Sequence, residues 1–393
     1  MHRPAPHQTG TTPPLIYLNN AATSWPKPPA VVAEVTRCLS QPFAETGRSA
    51  FSPAQNYPAA ARELLADFFC TGNPDHWVFT GSATDSLNIL IHGFACREPG
   101  HFHVVTTDLE HNSVLRPLAS LEHAGRLSYT IVPSGPDGRV DPDDIRRAVQ
   151  PDTRLVVMTH GSNVLGTVQD IKKTGEYLAA NDIFFIVDGS QTAGHVPVDL
   201  SFVPPDAFVF TGHKALYGMP GTGGFFIRDP ERIAITREGG TGTDSKNLSH
   251  PAGMPERFEV GTPNYPGIAS LYAGIRFIRK TGLDAIGAHN RELVQLFTRE
   301  LAGHRNITLY SSSPDLPVIP FNITGIPADD AGYILSRAYG IVTRTGLHCA
   351  PLIHERIDKG AGCIRVSPGY FTTRDECRQA VSAICEVADG ADP

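Results

Sequence analysis

Five short stretches of the 393-residue sequence carry many of its chemically able side chains: TGSAT (80–84), DLEHN (108–112), THGSN (159–163), VDGSQ (187–191) and TGHK (211–214). Gly81, Ser82, Ala83 and Thr84 lead into a helical stretch, DSLNILIHGF. Free amides at a helix N-terminus, with hydroxyls beside them, form a phosphate site. A Gly-Ser turn with Thr as a helix cap is the plainer meaning of the same letters. Asp188 ends an apolar run, where a carboxylate is costly unless it meets a cation or serves a site; a capping aspartate looks the same. Lys214 follows His213 at the end of another apolar run and precedes the glycine-rich GMPGTGG. A partly desolvated lysine has a lowered pKa and condenses with carbonyls, whereas most lysines are simply solvated.

One cysteine stands apart from the other six. Cys349 sits in RTGLHCAP, on a glycine-flanked loop beside His348 and near Arg344, where local positive charge would favour a thiolate nucleophile. Composition alone favours the opposite, since free cysteines are usually buried and inert. Cys38, Cys70, Cys96, Cys363, Cys377 and Cys385 fall in helical or strand-like context and read as packing residues.

These groups act together only if the fold collects them. Seven apolar, β-branched or aromatic runs recur between helix-like stretches: 76–80, 103–107, 129–132, 155–159, 184–188, 207–211 and 224–227. That alternation indicates an α/β architecture with a largely parallel sheet. Uninterrupted apolarity, as in LVVM, FFIV and AFVF, is expected of strands covered on both faces. Ligands bind beyond the carboxyl ends of such strands, so the five stretches should meet in one crevice. After Pro266 the text changes to long helical patterns (268–279 and 285–301) and then to mixed segments. The expected organisation is a flexible arm over 1–14, a large domain over 15–265, and a smaller C-terminal α+β domain over 266–393. The smaller domain would carry the Cys349 loop and take in part of 15–30.

Composition narrows the class. The length exceeds what a single core usually supports. With 40 acidic against 33 basic residues and a formal charge of −7, no global basic footprint for nucleic acid exists. Seven scattered cysteines without a CxxC pair suggest reduced thiols in a cytoplasmic protein rather than a disulfide framework or a zinc motif. The N-terminal MHRPAPHQTGTTPP has no apolar segment, and no uncharged apolar run reaches the roughly 18 residues that span a bilayer.

A phosphate cradle, a buried acid and an imine-forming lysine are together what pyridoxal 5'-phosphate requires, for its phosphate, its protonated ring nitrogen and its aldehyde. The strings YLNNAATSWPKP (17–28), LEHNSVLRPL (109–118), VDGSQTAGH (187–195), FTGHKALYGMPGTGG (210–224), FEVGTPNYPGI (258–268) and RTGLHCAP (344–351) resemble the cysteine desulfurases. These are class V, fold type I pyridoxal phosphate enzymes, and the likeness runs from Ile16 to about Ile384. The short spacing between Gly340 and Gly362 is similar to that of the group II enzymes, which lack a long mobile arm.

The resemblance implies a role for each matching position. Lys214 would carry the cofactor and later move protons, and Asp188 would keep the pyridine nitrogen protonated. His111 would stack on the ring, and Gln191 would reach its phenolic oxygen. Ala83, Thr84 and His213 lie where the family binds phosphate, although some relatives lack the equivalent of Ser82. Thr262 matches a residue that reaches the phosphate of a neighbouring subunit, which implies a homodimer. Asn163 matches a position near cofactor and substrate, though a loop-capping amide reads the same. Arg365 would clamp the substrate α-carboxylate with two parallel donors. Cys349 would take sulfur from L-cysteine, giving L-alanine and a persulfide for an acceptor protein or small thiol.

Two departures stand out. ETGRSAFSPAQ (45–55) places Phe51 near a point where relatives carry a histidine, and Asn19 replaces an aspartate common among them. Other class V chemistries compete with the desulfurase reading: a selenocysteine lyase, a C-S lyase on a modified cysteine, or an aminotransferase, which needs no thiol. A silent scaffold need not keep Lys214, Asp188, His111, Cys349 and Arg365 together.

Overall fold

The computed structural model describes residues 14–42, 55–202, 205–243 and 246–391. The arm before Pro14 and the segment around Phe51 lie outside the described residues. Strand β1 (Ile16–Tyr17) is followed by β2 (Trp77–Thr80), β3 (Phe102–Thr107), β4 (Leu127–Val132) and β5 (Thr153–Thr159). Next come β6 (Phe184–Asp188), β7 (Ala207–Thr211) and β8 (Gly223–Ile227). The seven strands β2–β8 form one sheet, in the order β2-β8-β7-β6-β5-β3-β4. Only β8 runs against its neighbours. All seven runs expected from the sequence coincide with strands of this sheet, some extended by a residue or two where a polar residue such as Ser128 or Arg154 hides the pattern, while the first loses His76 to a short 3-10 turn.

Side chains alternate between two cores. In β6, Phe185 and Val187 join Val156, Met158, Phe208 and Phe210 on one face. Phe184 and Ile186 join Leu155, Val157 and Val209 on the other. Burial on both sides explains the unbroken apolar text of the central strands. The chain steps from β3 outward to β4 and then back to β5 on the other side of β3. That reversal is the switch point at which a crevice opens beyond the strand ends, and His111 and Asn163 follow the two strands that flank it.

The C-terminal part holds β9 (Ile307–Leu309), β10 (Ile319–Ile323), β11 (Ile341–Val342) and β12 (Ile364–Val366). Strands β12, β10 and β9 form an antiparallel sheet, and β1 pairs in parallel with β11. Ile16 and Leu18 share a buried cluster with Leu293, Phe297, Phe321 and Ile384. The helix Tyr265–Thr281 turns Leu271, Ile275 and Ile278 into the core of the large sheet. A division placed after residue 265 therefore cuts off the first residue of a helix that shares the core of that sheet. Among the described residues, no helix is long and apolar enough to cross a membrane.

The cysteines divide differently from the sequence expectation. Cys38, Cys363 and Cys377 are buried, but Cys70 and Cys96 are exposed. Cys70 sits just past the helix Tyr57–Phe68 with φ 55°, and Cys96 is on the solvent side of the helix Ala83–Arg97. Position on a helix does not bury a residue when its face points outward.

Candidate active site

A cavity of about 270 Å³ opens beyond the carboxyl ends of the strands, and Ser82, His111, Asp188, Lys214, Cys349 and Arg365 all line it. Ala83, Thr84, Asn163, Gln191 and His213 also line it. Every expected site residue except Thr262 is thus gathered in one place. Thr262 is exposed beside a second cavity, with Asp85, Arg237 and Asn264.

The anion end is built by β2 turning into the helix Ala83–Arg97. Ser82 is its N-cap, and its Oγ accepts from the Asp85 amide at 3.1 Å. The first amides of this helix have no partner within the helix itself. Gly223 on β8 lies against this turn: a Cβ there would come within 2.7 Å of the Ser82 carbonyl carbon, so glycine is what lets the strand approach. Thr84 Oγ1 lies 2.7 Å from Ser113 Oγ, which lies 2.7 Å from His111 Nδ1. The Ser113 amide also donates to that Nδ1, at 3.0 Å. These donors assign the ring proton to Nε2. Burial holds the His111 pKa down to about 4; Lys214, Arg344 and Arg116 add to the effect and Asp188 opposes it. His111 is therefore a neutral ring at physiological pH.

Asp188 and Thr159 are paired residues at the ends of β6 and β5. The Ser190 amide and hydroxyl both donate to Asp188 Oδ1, at 2.9 and 2.5 Å, so Oδ2 is the oxygen left for a ligand. Gln191 Nε2 donates to the Ala21 carbonyl at 3.1 Å, while its Oε1 is buried without a partner.

Lys214 is positioned through the residue before it. The His213 carbonyl accepts from the Ser24 amide at 3.0 Å, Lys27 Nζ at 2.9 Å and Thr23 Oγ1 at 3.1 Å. Desolvation lowers the Lys214 pKa to about 8; Arg365 and Arg344 push it the same way, against Asp188 and Cys349. Burial likewise lowers Lys27 to about 8 and His213 to about 4. More of the Lys214 amine is thus unprotonated near neutral pH than in a solvated lysine, as carbonyl condensation needs.

The residues suit an aldehyde carrying a ring and a phosphate. Helix amides and hydroxyls line one part of the cavity, a carboxylate with a free oxygen another, and an amine of lowered pKa lies on the same wall set. The unpartnered Gln191 Oε1 and His213 Nδ1 mark polar groups that the chain alone leaves unsatisfied.

Cys349 comes from a tightly tied loop. Arg344 and Arg365 exchange backbone hydrogen bonds at 3.2 and 2.7 Å, and Gly346 and Cys363 do so at 3.1 and 3.2 Å. The Asn112 amide donates to the Cys349 carbonyl at 2.7 Å, and Asn163 Nδ2 to the His348 carbonyl at 2.7 Å. His348 and Cys349 both lie in the left-handed region, with φ 49° and 61°. Two adjacent non-glycine residues there are a local cost that persists only where the surroundings enforce it. Cys349 is half-buried, with Arg344 Nη2 at 3.7 Å from its Sγ.

Of the two cations expected beside Cys349, only Arg344 is charged. His348 is not a cation: its ring is buried, its pKa is driven far down by desolvation and by Arg365, and its Nε2 lies 3.4 Å from Cys363 Sγ. Arg365 is almost fully buried; its Nη1 donates to the Asn163 carbonyl at 2.8 Å, and its Nε has no partner. Its Nη2 reaches Asn19 Oδ1 at 3.5 Å. That is the contact at the Asn19 departure: an aspartate would oppose the guanidinium charge, and an amide leaves it free for an anion.

The model of the aminotransferase class-V family matches residues 16–379. The chain belongs to this family. It is 31% identical over 383 residues to a probable cysteine desulfurase of Methanothermobacter thermautotrophicus, covering 95% of this chain and 94% of that protein. Identity to a cysteine desulfurase of Serratia proteamaculans is 30% over 381 residues, covering 94% and 93% of the two chains. The apo structure of a cysteine desulfurase from Thermococcus onnurineus superposes with a TM-score of 0.88 at 28% identity, over 96% of this chain and 95% of that one.

This class-V chain also uses residues its sequence did not single out: Ser113, Ser190, Lys27 and Glu110. Ser113 and Ser190 each stand two residues after a site residue, the spacing at which a hydroxyl or amide turns back on a side chain. Glu110 is fully buried, and its Oε1 accepts from Thr107 Oγ1 at 2.6 Å and the Thr159 amide at 2.9 Å. Burial is the main cause that raises its pKa to about 8, and Asp188 and Asp108 add to it. The folded chain therefore holds a proton that the unfolded chain releases above the ordinary carboxyl pKa near 4.5. Stability should then fall as pH rises between these two values, by on the order of a few kcal/mol. Glu110→Gln removes this titration, so urea midpoints at pH 5, 7 and 9 should show the variant gaining on the wild type as pH rises. A constant difference would mean Glu110 is ionised in the fold.

Proposed function

We propose that this class-V enzyme is a cysteine desulfurase that uses pyridoxal 5'-phosphate to move sulfur from L-cysteine to Cys349. The single observation that carries the reading is a half-buried thiol beside a guanidinium, in the same cavity as a desolvated lysine and a second, buried arginine. Transamination needs no such thiol.

Lys214 would hold the cofactor aldehyde, Asp188 Oδ2 the ring nitrogen, Gln191 the phenolic oxygen, and Ala83, Thr84 and His213 the phosphate. When bound, the cofactor makes an amino acid's Cα–H acidic and its Cβ–S bond breakable. Lys214 Nζ then carries the proton removed from Cα. His111, neutral and fixed through Ser113, covers the ring face. Arg365 and Asn163 orient the substrate carboxylate. The Cys349 thiolate attacks the substrate sulfur: its S–S bond forms as the Cβ–S bond breaks, the electron pair left on Cβ takes a proton, and alanine leaves. The persulfide on Cys349 awaits an acceptor protein or small thiol, which must come to the tied loop. Exposed Thr262 serves the site of a second copy, making the working unit a homodimer.

Incubation with L-cysteine and a reductant, followed by analysis for alanine and sulfide, tests the reaction. Pyruvate and ammonia in place of alanine would identify a C-S lyase, and activity confined to selenocysteine would identify a selenocysteine lyase. Arg365→Ala should raise KM for cysteine roughly 10- to 100-fold with a smaller change in kcat, since a charge-assisted contact to the carboxylate contributes about 1.5–3 kcal/mol in ground and transition states alike. A loss confined to kcat would remove Arg365 from the carboxylate.

A further inference from the structure

The chemistry of the cavity leaves one buried cluster unused. His348 precedes the nucleophile, His354 lies on the helix Pro351–Ile357, and Cys363 stands just before β12. All three are buried, and one donor atom from each lies within 4.8 Å of the others. We propose that His348, His354 and Cys363 bind a zinc ion beneath the Cys349 loop.

Geometry supports this first. Cys363 Sγ and His348 Nε2 are 3.4 Å apart. Two donors at ordinary Zn–S and Zn–N lengths around a tetrahedral ion are separated by about 3.5 Å. His354 Nδ1 bonds Asp358 Oδ2 at 2.6 Å, and both side chains are essentially without solvent contact. That fixes the ring and leaves Nε2 as its free donor, the carboxylate–histidine–metal arrangement seen where a second residue orients a ligand.

Polar satisfaction is the second argument. His354 Nε2, His348 Nδ1 and Asp358 Oδ1 are all buried without a hydrogen-bond partner. Of these, His354 Nε2 is the one that an ion held by Cys363 Sγ and His348 Nε2 would take up. A hydrogen-bonded cluster without an ion leaves His354 Nε2 unpartnered, whereas a cation takes up its lone pair.

Charge and donor type choose the ion. One thiolate and two imidazoles favour zinc over magnesium or calcium, which take oxygen donors. Binding breaks the Cys363 S–H bond and sends its proton to solvent, with no electron transferred. A dication, a thiolate and the Asp358 carboxylate sum to zero, which matters because Arg344 and Arg365 both act on His348. Three protein donors leave one tetrahedral position for water. The ion would tie the start of the loop to its end and help enforce the left-handed backbone at His348 and Cys349.

The test is the zinc content, by mass spectrometry, of protein purified with its cofactor. About one zinc per chain is expected in the wild type and in Cys349→Ser, and less than about a tenth in His354→Ala and Cys363→Ser, because each removes a direct ligand. Cobalt exchanged into the site should give a thiolate-to-cobalt band in the near ultraviolet that Cys363→Ser abolishes. Absorbance of the bound cofactor checks that each variant is folded, and Cys363→Ser, which changes one atom, decides the matter if His354→Ala fails that check. Wild-type protein that holds no zinc and gives no cobalt band would overturn the proposal. So would zinc retained in folded Cys363→Ser, or zinc lost in Cys349→Ser, which would put the ion on the nucleophile instead.

Discussion

Cys349→Ser is expected to take up cofactor normally and to form alanine from L-cysteine roughly a thousandfold or more slowly, about 4 kcal/mol of activation barrier. Serine keeps the size of the side chain, so the loop and its ties to Asn112, Asn163 and Arg365 should survive. Its alcohol, however, ionises far less readily than a thiol, and a guanidinium at 3.7 Å from Sγ does not close that gap. Cys363 cannot substitute, because it is buried outside the cavity and faces His348. In the proposed reading cofactor uptake belongs to Lys214, Asp188 and the helix at Ala83, none of which the change alters. The check is twofold. Alanine release is timed in both proteins, and the Cys349 peptide of the wild type is weighed after exposure to cysteine. The wild-type peptide should gain one sulfur, reversibly with reductant. If the serine variant releases alanine at the wild-type rate, the thiol is not the sulfur acceptor.

The contrast between Cys349 and Cys363 also shows which parts of this site can be read from letters. The strands were legible because burial on both faces leaves an unbroken apolar run, and five of the seven runs end on a polar residue: Thr80, Thr107, Thr159, Asp188 and Thr211. Lys214 and Asp188 were legible for the same reason, since a charge at the end of an apolar strand calls for a partner or a purpose. Cys349 was legible only through its neighbours in RTGLHCAP. What supports these groups was not. The His213 carbonyl gathers donors from Thr23, Ser24 and Lys27, some 190 positions earlier in the chain, and no local pattern announces a contact that depends on how two segments pack. The charge of His348 was misjudged for a related reason. Beside a cysteine in sequence it looked like a cation, but the fold turns its ring into the interior, where burial removes the charge. The exposed Cys70 and Cys96 show the reverse error, because a residue type that is usually buried says nothing about the face it occupies.

Lys214→Ala should have the other large effect, and it separates attachment of the cofactor from its use. Loss of the only amine among the residues lining the cavity should abolish borohydride fixation of cofactor to the chain and slow turnover by about 10²–10⁴-fold, the range for removing a positioned proton carrier. Non-covalent cofactor binding should persist, because the amides at Ala83 and Thr84, the Asp188 carboxylate and Gln191 are untouched. Lys214→Arg is the sharper variant. It keeps a positive charge and most of the length, so it preserves whatever the charge of Lys214 contributes to the field of Asp188, Arg344 and Arg365. A guanidinium neither condenses with an aldehyde nor gives up a proton near pH 8, the value to which desolvation brings the lysine. Both variants should therefore be slowed to a similar degree, and a small primary amine in the buffer should restore part of the activity of the alanine variant, where it has space to enter, but not of the arginine variant, where it has none. An arginine variant that turned over at the wild-type rate would mean that only the charge matters, and the proton would have to be carried by another group on the wall, of which neutral His111 is the nearest in chemistry.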